Sequence, residues 1–203
     1  MEKIYFFNAF TRLLRGRTNP SNAGNDMSRL QRGEILRSLT FREASAEDIP
    51  ALAVLHAAIW DEANPGVRHK PTVEMRESQW DEAFREADNT WFCYVIENKQ
   101  KELVGFAQGN LYSGQIPGFD GQLAKFCLLR AYQHMGLERK LIGYVSRRFL
   151  SRGIFSMIVF AEAASRELYE VIGAEKLPSG KGEFRWAYGW SDLEALAAEC
   201  PIG

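Results

Sequence analysis

The regular pattern of apolar and polar positions begins at Leu39. Residues Leu39 to Glu43 alternate as a strand does, and Ser45 to Asp48 has the form of a helix-capping box. Ile49, Leu52, Ala53, His56, Ile59 and Trp60 then recur at three- and four-residue spacing, the stripe of an amphipathic helix. Pro50 is tolerated because it falls in the first turn, where its missing N–H has no helical partner. After a loop through Asn64, Pro65 and Gly66, Thr72 can cap a second helix with Val73, Trp80, Ala83, Phe84 and Ala87 facing inward. Trp91 to Ile96, a turn over Asn98 to Lys101, and Leu103 to Tyr112 read as a β-hairpin. A Gly-rich loop with Pro117 covers 113–121, and a third strand runs from about Gln122 to Leu129. Leu137, Leu141, Val145 and Phe149 mark a helix, with Gly153 at its C-terminal cap. Ile154 to Phe160 is a buried strand, and Ala163 to Ile172 is a short helix stopped by Gly173. Phe184 to Trp190 is a last strand, and Ser191 to Glu194 caps a closing helix. This order, strand-helix-helix-three strands-helix-strand-helix-strand and a final helix, predicts an α/β fold with helices on both faces of a mixed central sheet.

Charge divides the chain unevenly. Residues 1–38 carry seven Lys/Arg against three Asp/Glu, although the 203-residue chain has a net charge of −1. A polar, breaker-rich stretch from Asn19 to Asp26 reads as a loop. We therefore separate a basic N-terminal appendage, 1–38, from a domain at 39–203. Ile4, Phe7, Phe10 and Leu14 share one helical face in the appendage. They fit either a membrane-surface or partner-binding helix, or a short helix or tail added to the domain; Met27 offers an alternative start. With 46% hydrophobic residues the chain can build one sizeable core. Its charge does not suit nucleic acid, and no apolar run approaches the ~20 residues of a membrane span. Cys93, Cys127 and Cys200 are odd in number and lack metal-ligand spacing, as expected of thiols in a reducing compartment such as the cytoplasm. His56, His69 and His134 are scattered, and no metal is expected.

The chemistry concentrates between Leu128 and Arg139, where a strand leaves the core, turns and becomes a helix at once. The first N–H groups of a helix lack internal acceptors and carry the positive end of the dipole, which suits a phosphate. Gly136 has no side chain to keep a ligand from the backbone. An ordinary strand-to-helix turn fits the same residues.

Gln133-x-x-Gly136 after a strand ending Leu128-Leu129, together with Phe41 to Ala44 and Asp48, Leu103 to Phe106, and Leu168 to Ala174, resembles the landmarks of the GNAT superfamily of N-acyltransferases in their usual order. The resemblance spans roughly 39–190. It implies a GNAT-like fold, acetyl-CoA as co-substrate, and direct acetyl transfer to a primary amine, small molecule or peptide; a homodimer is left open. It further implies that backbone amides of Gln133, His134, Met135, Gly136, Leu137, Glu138 and Arg139 hold the pyrophosphate. The strand at Phe126, Cys127 and Leu128 would pair with the pantetheine arm where it splays from the next strand. The Leu128 N–H would polarise the thioester carbonyl, and Tyr169 would be general acid to the departing thiolate.

Two positions depart from the family pattern. Glu138 stands where Gly or Ala is usual, and is expected to point outward as a first-turn acid. Ala163 stands where relatives often carry Asn. The central strand has no acid, so Glu162, Asp61 and Glu62 are fallback bases, while His56 reads as a core residue. Arg130, Arg139, Lys140 and Arg166 fit either a contact to the adenosine 3′-phosphate or a solvated helix face, and Arg147, Arg148 and Arg152 complement a helix dipole. Cys127 as an acyl-carrying nucleophile is a second enzymatic route. A non-catalytic acyl-CoA-binding or regulatory module is the main alternative. An unrelated nucleotide-phosphate site is the third, against which stands the lack of a Gly-x-x-x-x-Gly-Lys-Ser/Thr or Gly-x-Gly-x-x-Gly run. The acceptor pocket is expected from the second helix and the loops at 61–72 and 113–121, with Trp60, Asp61, Glu62, Tyr112 and Phe119 favouring a small, partly apolar amine.

Overall fold

A computed structural model describes residues 29–161, 166–178 and 186–202. The apolar face at Ile4 to Leu14, Met27, Glu162 and Ala163 lie outside them. Seven strands form one mixed sheet in the order β1-β2-β3-β4-β5-β7-β6. They are β1 (Thr40–Glu43), β2 (Phe92–Glu97), β3 (Leu103–Leu111), β4 (Gly121–Leu128), β5 (Met157–Phe160), β6 (Glu175–Leu177) and β7 (Ala187–Trp190). The helices are α1 (Arg29–Ser38), α2 (Ile49–Ala63), α3 (Val73–Arg85), α4 (Leu137–Leu150), α5 (Arg166–Val171) and α6 (Leu193–Glu199). All neighbours pair antiparallel except β4 and β5.

Period-two alternation, interrupted where the β3–β4 register shifts between Lys125 and Leu123, sorts the side chains of β2, β3 and β4 onto two faces. Leu123, Phe126 and Leu128 join the larger core with Leu141, Val145 and Phe149 of α4. Phe106, Cys93, Val95 and Cys127 face α2 and α3, packing on Leu52, Ile59 and Trp80. Thr72 caps α3 by accepting from the Met75 N–H, and Asp192 caps α6 through Ala195. Ser45 and Asp48 form the expected capping box, and Arg42 chelates Asp48 with two 2.8 Å bonds while reaching Glu97 at 2.9 Å.

Three expectations change. Ala87 lies beyond the end of α3 and is exposed, because the helix stops at Arg85. Glu175–Leu177 is a strand too short and too polar to announce itself, held at the sheet margin by β7. The end of the basic segment is a helix, α1, whose Ile35 and Leu36 pack against the main core.

Candidate active site

The site is built where β4 parts from β5. The two strands pair only at Gly121, Gln122 and Leu123, opposite Met157, Ile158 and Val159. Beyond Leu123, β4 runs on to Leu128 with β3 alone. Antiparallel pairing alternates between residues that bond to the partner and residues whose polar groups point away. Leu129 donates to Val104 across this ladder, so Cys127 and Lys125 also bond to β3, while Leu128 and Phe126 direct their N–H and C=O groups toward the gap. The Leu128 carbonyl on that open edge accepts from the Gln133 side chain at 3.0 Å, inside a buried contact. Gln133 thus ties the strand's last turn to the following loop.

A 3₁₀ turn at Arg130–Tyr132 then leads through His134 (φ 60°) and Gly136 (φ 83°) into α4. A left-handed residue just before a helix turns its N–H groups toward the helix entrance, an anion-binding concavity. Gly136 adopts this conformation without strain, and no atom lies within 4 Å of where a side chain would begin. The N–H groups of Leu137, Glu138 and Arg139 open the helix and have no intrahelical acceptor by construction.

Glu138 does not point outward. It is 5% exposed, and its Oε1 accepts the His134 N–H at 2.9 Å. The carboxylate stands where an anionic ligand oxygen would meet that amide. The cause is local: His134's backbone aims its N–H into the helix entrance, and an acid in the first turn satisfies both the donor and the dipole. Met135 and Leu137 are buried anchors of the turn, and His134 is exposed.

The remaining charged candidates are mostly committed elsewhere. Arg139 reaches the Glu199 carbonyl, Lys140 lies over Phe41, and Arg166 lies over Trp186. Arg147 donates to the Gly143 carbonyl one turn back in α4 and to the carbonyls of Ala197 and Cys200 at the end of α6. Arg148 pairs with Glu43, and Arg152 donates to the Trp91 carbonyl. The cation that does touch the turn went unnoticed in the sequence: Arg32 of α1 donates to the His134 carbonyl. Nothing in the periodicity of a short, polar helix signals that contact.

Two of the fallback bases, Asp61 and Glu62, are also engaged. Asp61 pairs with Lys70 at 3.0 Å, and Glu62 accepts the Arg130 N–H at 2.9 Å, joining the end of α2 to the turn. Trp60 is half-buried on the same last turn of α2. The loop at 113–121 ends on the paired half of β4, away from the gap, with the Tyr112 hydroxyl accepting from Ile116 and Phe119 packed on Gly189. Tyr169 is 1% exposed, its ring edge-on to Trp190 and near Tyr188. Burial pushes the Cys127 thiol up to about 12, which disfavours the thiolate that a covalent cysteine route needs.

A second constellation lies on the α2/α3 side of the same stretch of β4. Lys125 extends over the Trp80 ring, 4.8 Å from its centroid, and donates to Gln108 at 2.5 Å. Arg76 is 4% exposed and donates to Gln79 at 2.9 Å. Desolvation holds both cations below their ordinary pKa range. Burial, with Arg76 and Lys125 nearby, drives His56 down to about 2, so it is neutral. Among the described residues six buried side-chain nitrogens lack a partner, and three are here: His56 Nδ1, Arg76 Nε and Trp80 Nε1. Each such unsatisfied polar atom costs about 1–3 kcal/mol, so their clustering needs a reason. The sequence did carry a signal: Arg76 sits on the inward stripe between Val73 and Trp80, and Lys125 interrupts an apolar strand.

A family model described as the acetyltransferase (GNAT) family matches residues 54–174, more than half of the chain. The chain belongs to the GNAT acetyltransferase family. GNAT enzymes transfer acyl groups from acyl-CoA to amines, and acetyl-CoA is their usual co-substrate. Among curated relatives, the N-acetyltransferase YuaI of Bacillus subtilis strain 168, itself uncharacterised, is 25% identical over 172 residues, covering 78% of this chain and 96% of that one. A GNAT-family protein from Desulfovibrio desulfuricans shares the fold at a TM-score of 0.60 and 16% identity, covering 76% of this chain and 99% of that one. The PaiA N-acetyltransferase of Thermoplasma acidophilum, solved with coenzyme A, has a TM-score of 0.59 and 16% identity over 75% of this chain and 98% of its own. These likenesses place the chain's overall fold among GNAT structures.

Proposed function

We propose that this chain moves the acetyl group of acetyl-CoA to a primary amine of a small molecule or peptide, by direct transfer within a ternary complex. The observation that carries the reading is the parting of β4 from β5 beside a helix entrance. It supplies, in one place, an unpaired strand edge for an amide-rich arm and helix N–H groups for a pyrophosphate. Phe126 and Leu128 offer the edge groups, whereas Cys127 spends its N–H on β3. The backbone amides from Met135 to Arg139 hold the diphosphate, that of His134 joins them only when Glu138 releases it, and Gln133, whose own N–H is spent on the Arg130 carbonyl, holds the strand end in position. Arg32 adds a positive charge at the turn.

In the reaction the amine nitrogen attacks the thioester carbon. The developing oxyanion is met by the Leu128 N–H, which is preorganised on the strand edge. As the carbon–sulfur bond breaks, the Tyr169 hydroxyl gives its proton to the leaving sulfur and, being buried, regains one from water admitted when CoA leaves. The attacking nitrogen loses its proton to water. The cytoplasm suits a chain with three free thiols.

One observation favours a second reading, a module that binds acyl-CoA weakly and does no chemistry: Glu138 occupies the His134 N–H. CoA release and mass-spectrometric detection of acetylated product, on a broad amine panel, separate the two. Tyr169→Phe should lower kcat about 100-fold with CoA affinity unchanged. CoA binding with no turnover on any amine would replace the enzyme reading with the second one.

A further inference from the structure

The buried cations beside β4 have no role in the transfer described above. Lys125 lies over the Trp80 ring, Arg76 stands one helical turn before Trp80 on α3 and close enough to disfavour the Lys125 charge, and among the described residues neither cation has a carboxylate partner. What they do have are the neutral amide oxygens of Gln79 and Gln108. The unpartnered Arg76 Nε and Trp80 Nε1 are donors only, and the ammonium of Lys125 has donors to spare. Neutral His56 adds one ring nitrogen as an acceptor and one as a donor, so the cluster still presents more N–H groups than acceptors, together with positive charge and no anionic oxygen. Arg76 keeps its charge at any relevant pH. Lys125 is half-buried rather than sealed, and lies two residues past the last β4–β5 pair, on the stretch that ends at Leu128. Three residues of strand separate Lys125 from Leu128, about 10 Å, a distance that the lysine's own stem shortens.

We propose that Arg76, Lys125 and Trp80 form the acceptor-recognition subsite and bind a carboxylate, so that the acceptor is an amine that also carries an acid group. A carboxylate supplies the oxygen acceptors that the cluster lacks, matches the guanidinium in geometry, and neutralises both cations. The same charges repel a polyamine. This inference rests on the acetyltransfer reading for the identity of the acceptor, but the anion site itself does not need turnover.

The test uses the full-length protein and matched sets of compounds: phenylalanine, leucine and glutamate, each beside its α-carboxamide and its decarboxylated amine, with spermidine as a polycation. Transfer from acetyl-CoA should favour the acid over its amide and amine by about tenfold or more in kcat/KM. Thermal shift with the N-acetyl amino acids, which are products, reads the subsite without chemistry. Arg76→Met and Lys125→Met should abolish both the preference and the shift, while Lys125→Arg retains them and CoA affinity is unchanged in all three. If the methionine variants do not fold, the wild-type preference and the Lys125→Arg variant still decide. Equal or better use of the amides, the amines or spermidine would overturn the proposal and leave the transferase reading intact. A shift with N-acetyl amino acids that depends on Lys125, without transfer to any amine, would uphold the anion site and sink the transferase reading.

Discussion

Replacing Glu138 asks whether the carboxylate at the helix entrance competes with the cofactor's phosphates. Glu138→Ala removes the acceptor on the His134 N–H, and Glu138→Gln keeps an oxygen there without the charge. For stability the loss is a hydrogen bond to a charged acceptor, about 1.5–3 kcal/mol, plus a favourable charge at a helix N-terminus, about 0.3–1 kcal/mol. Relief of burying a carboxylate that is 5% exposed offsets part of this. A net loss of about 1–2 kcal/mol in the alanine variant corresponds to roughly 3–6 °C in Tm for a domain of this size. For CoA the sign reverses. A phosphate oxygen near 4 Å from the carboxylate is repelled by about 1 kcal/mol if water-screened and about 4 kcal/mol at an effective dielectric of 20. If Glu138 swings away instead, binding loses its hydrogen bond, a similar cost.

About 2 kcal/mol corresponds to a CoA Kd some thirtyfold tighter in Glu138→Ala, with Glu138→Gln showing most of the gain. Isothermal titration of CoA, alongside thermal unfolding without ligand, measures both signs. Raising ionic strength should narrow the gap between wild type and variants, because it screens the repulsion. The diagnostic pattern is a protein less stable alone yet tighter in complex, which simple loosening of the turn does not produce. An unchanged or weaker CoA affinity in both variants, with the fold intact, would show that Glu138 does not occupy phosphate space.

His56 is held neutral near pKa 2 in the fold and reverts to about 6.5 when unfolded. The unfolded chain therefore binds more protons below about pH 6.5, and stability is full above that value and falls as pH drops. Urea unfolding at pH 7.5 and 5.5 should show about 1.4 kcal/mol lost from this group, and His56→Gln should lose that much less than wild type; equal losses in both proteins would refute the assignment. Cys127→Ala should keep most activity, and native Cys127 should resist iodoacetamide at pH 8, since its thiol is raised to about 12; labelling that tracks inactivation would revive the cysteine route. Gly136→Ala places a side chain at φ 83° where space is open, so it should cost about 1 kcal/mol from backbone strain alone, read by thermal unfolding. A loss well above that would mean that the turn is packed more tightly than its geometry implies.

Sequence patterning located the fold closely because each element there carries its own instruction. Thr72 caps α3, Ser45 and Asp48 cap the entry to α2, and Leu137 to Phe149 face one core from α4. The strand edges at Phe126 and Leu128 were legible only as a likeness, since which amides face the gap depends on pairing with β3 and on where β5 departs. Glu138 was misread for a different reason. A first-turn acid has two low-energy directions, and the choice follows from the backbone of His134, four residues earlier, whose positive φ is uncommon outside glycine and only weakly favoured by its type. Arg76 and Lys125 were visible as polar interruptions of apolar patterns, yet their meaning is tertiary. An arginine on one helix and a lysine on one strand become a single feature only when α3 is laid across β4. That is also why the proposed acceptor side is the harder half to read: the phosphate end is built from backbone and a local turn, whereas the Arg76–Trp80–Lys125 cluster depends on side chains brought together from two elements far apart in sequence.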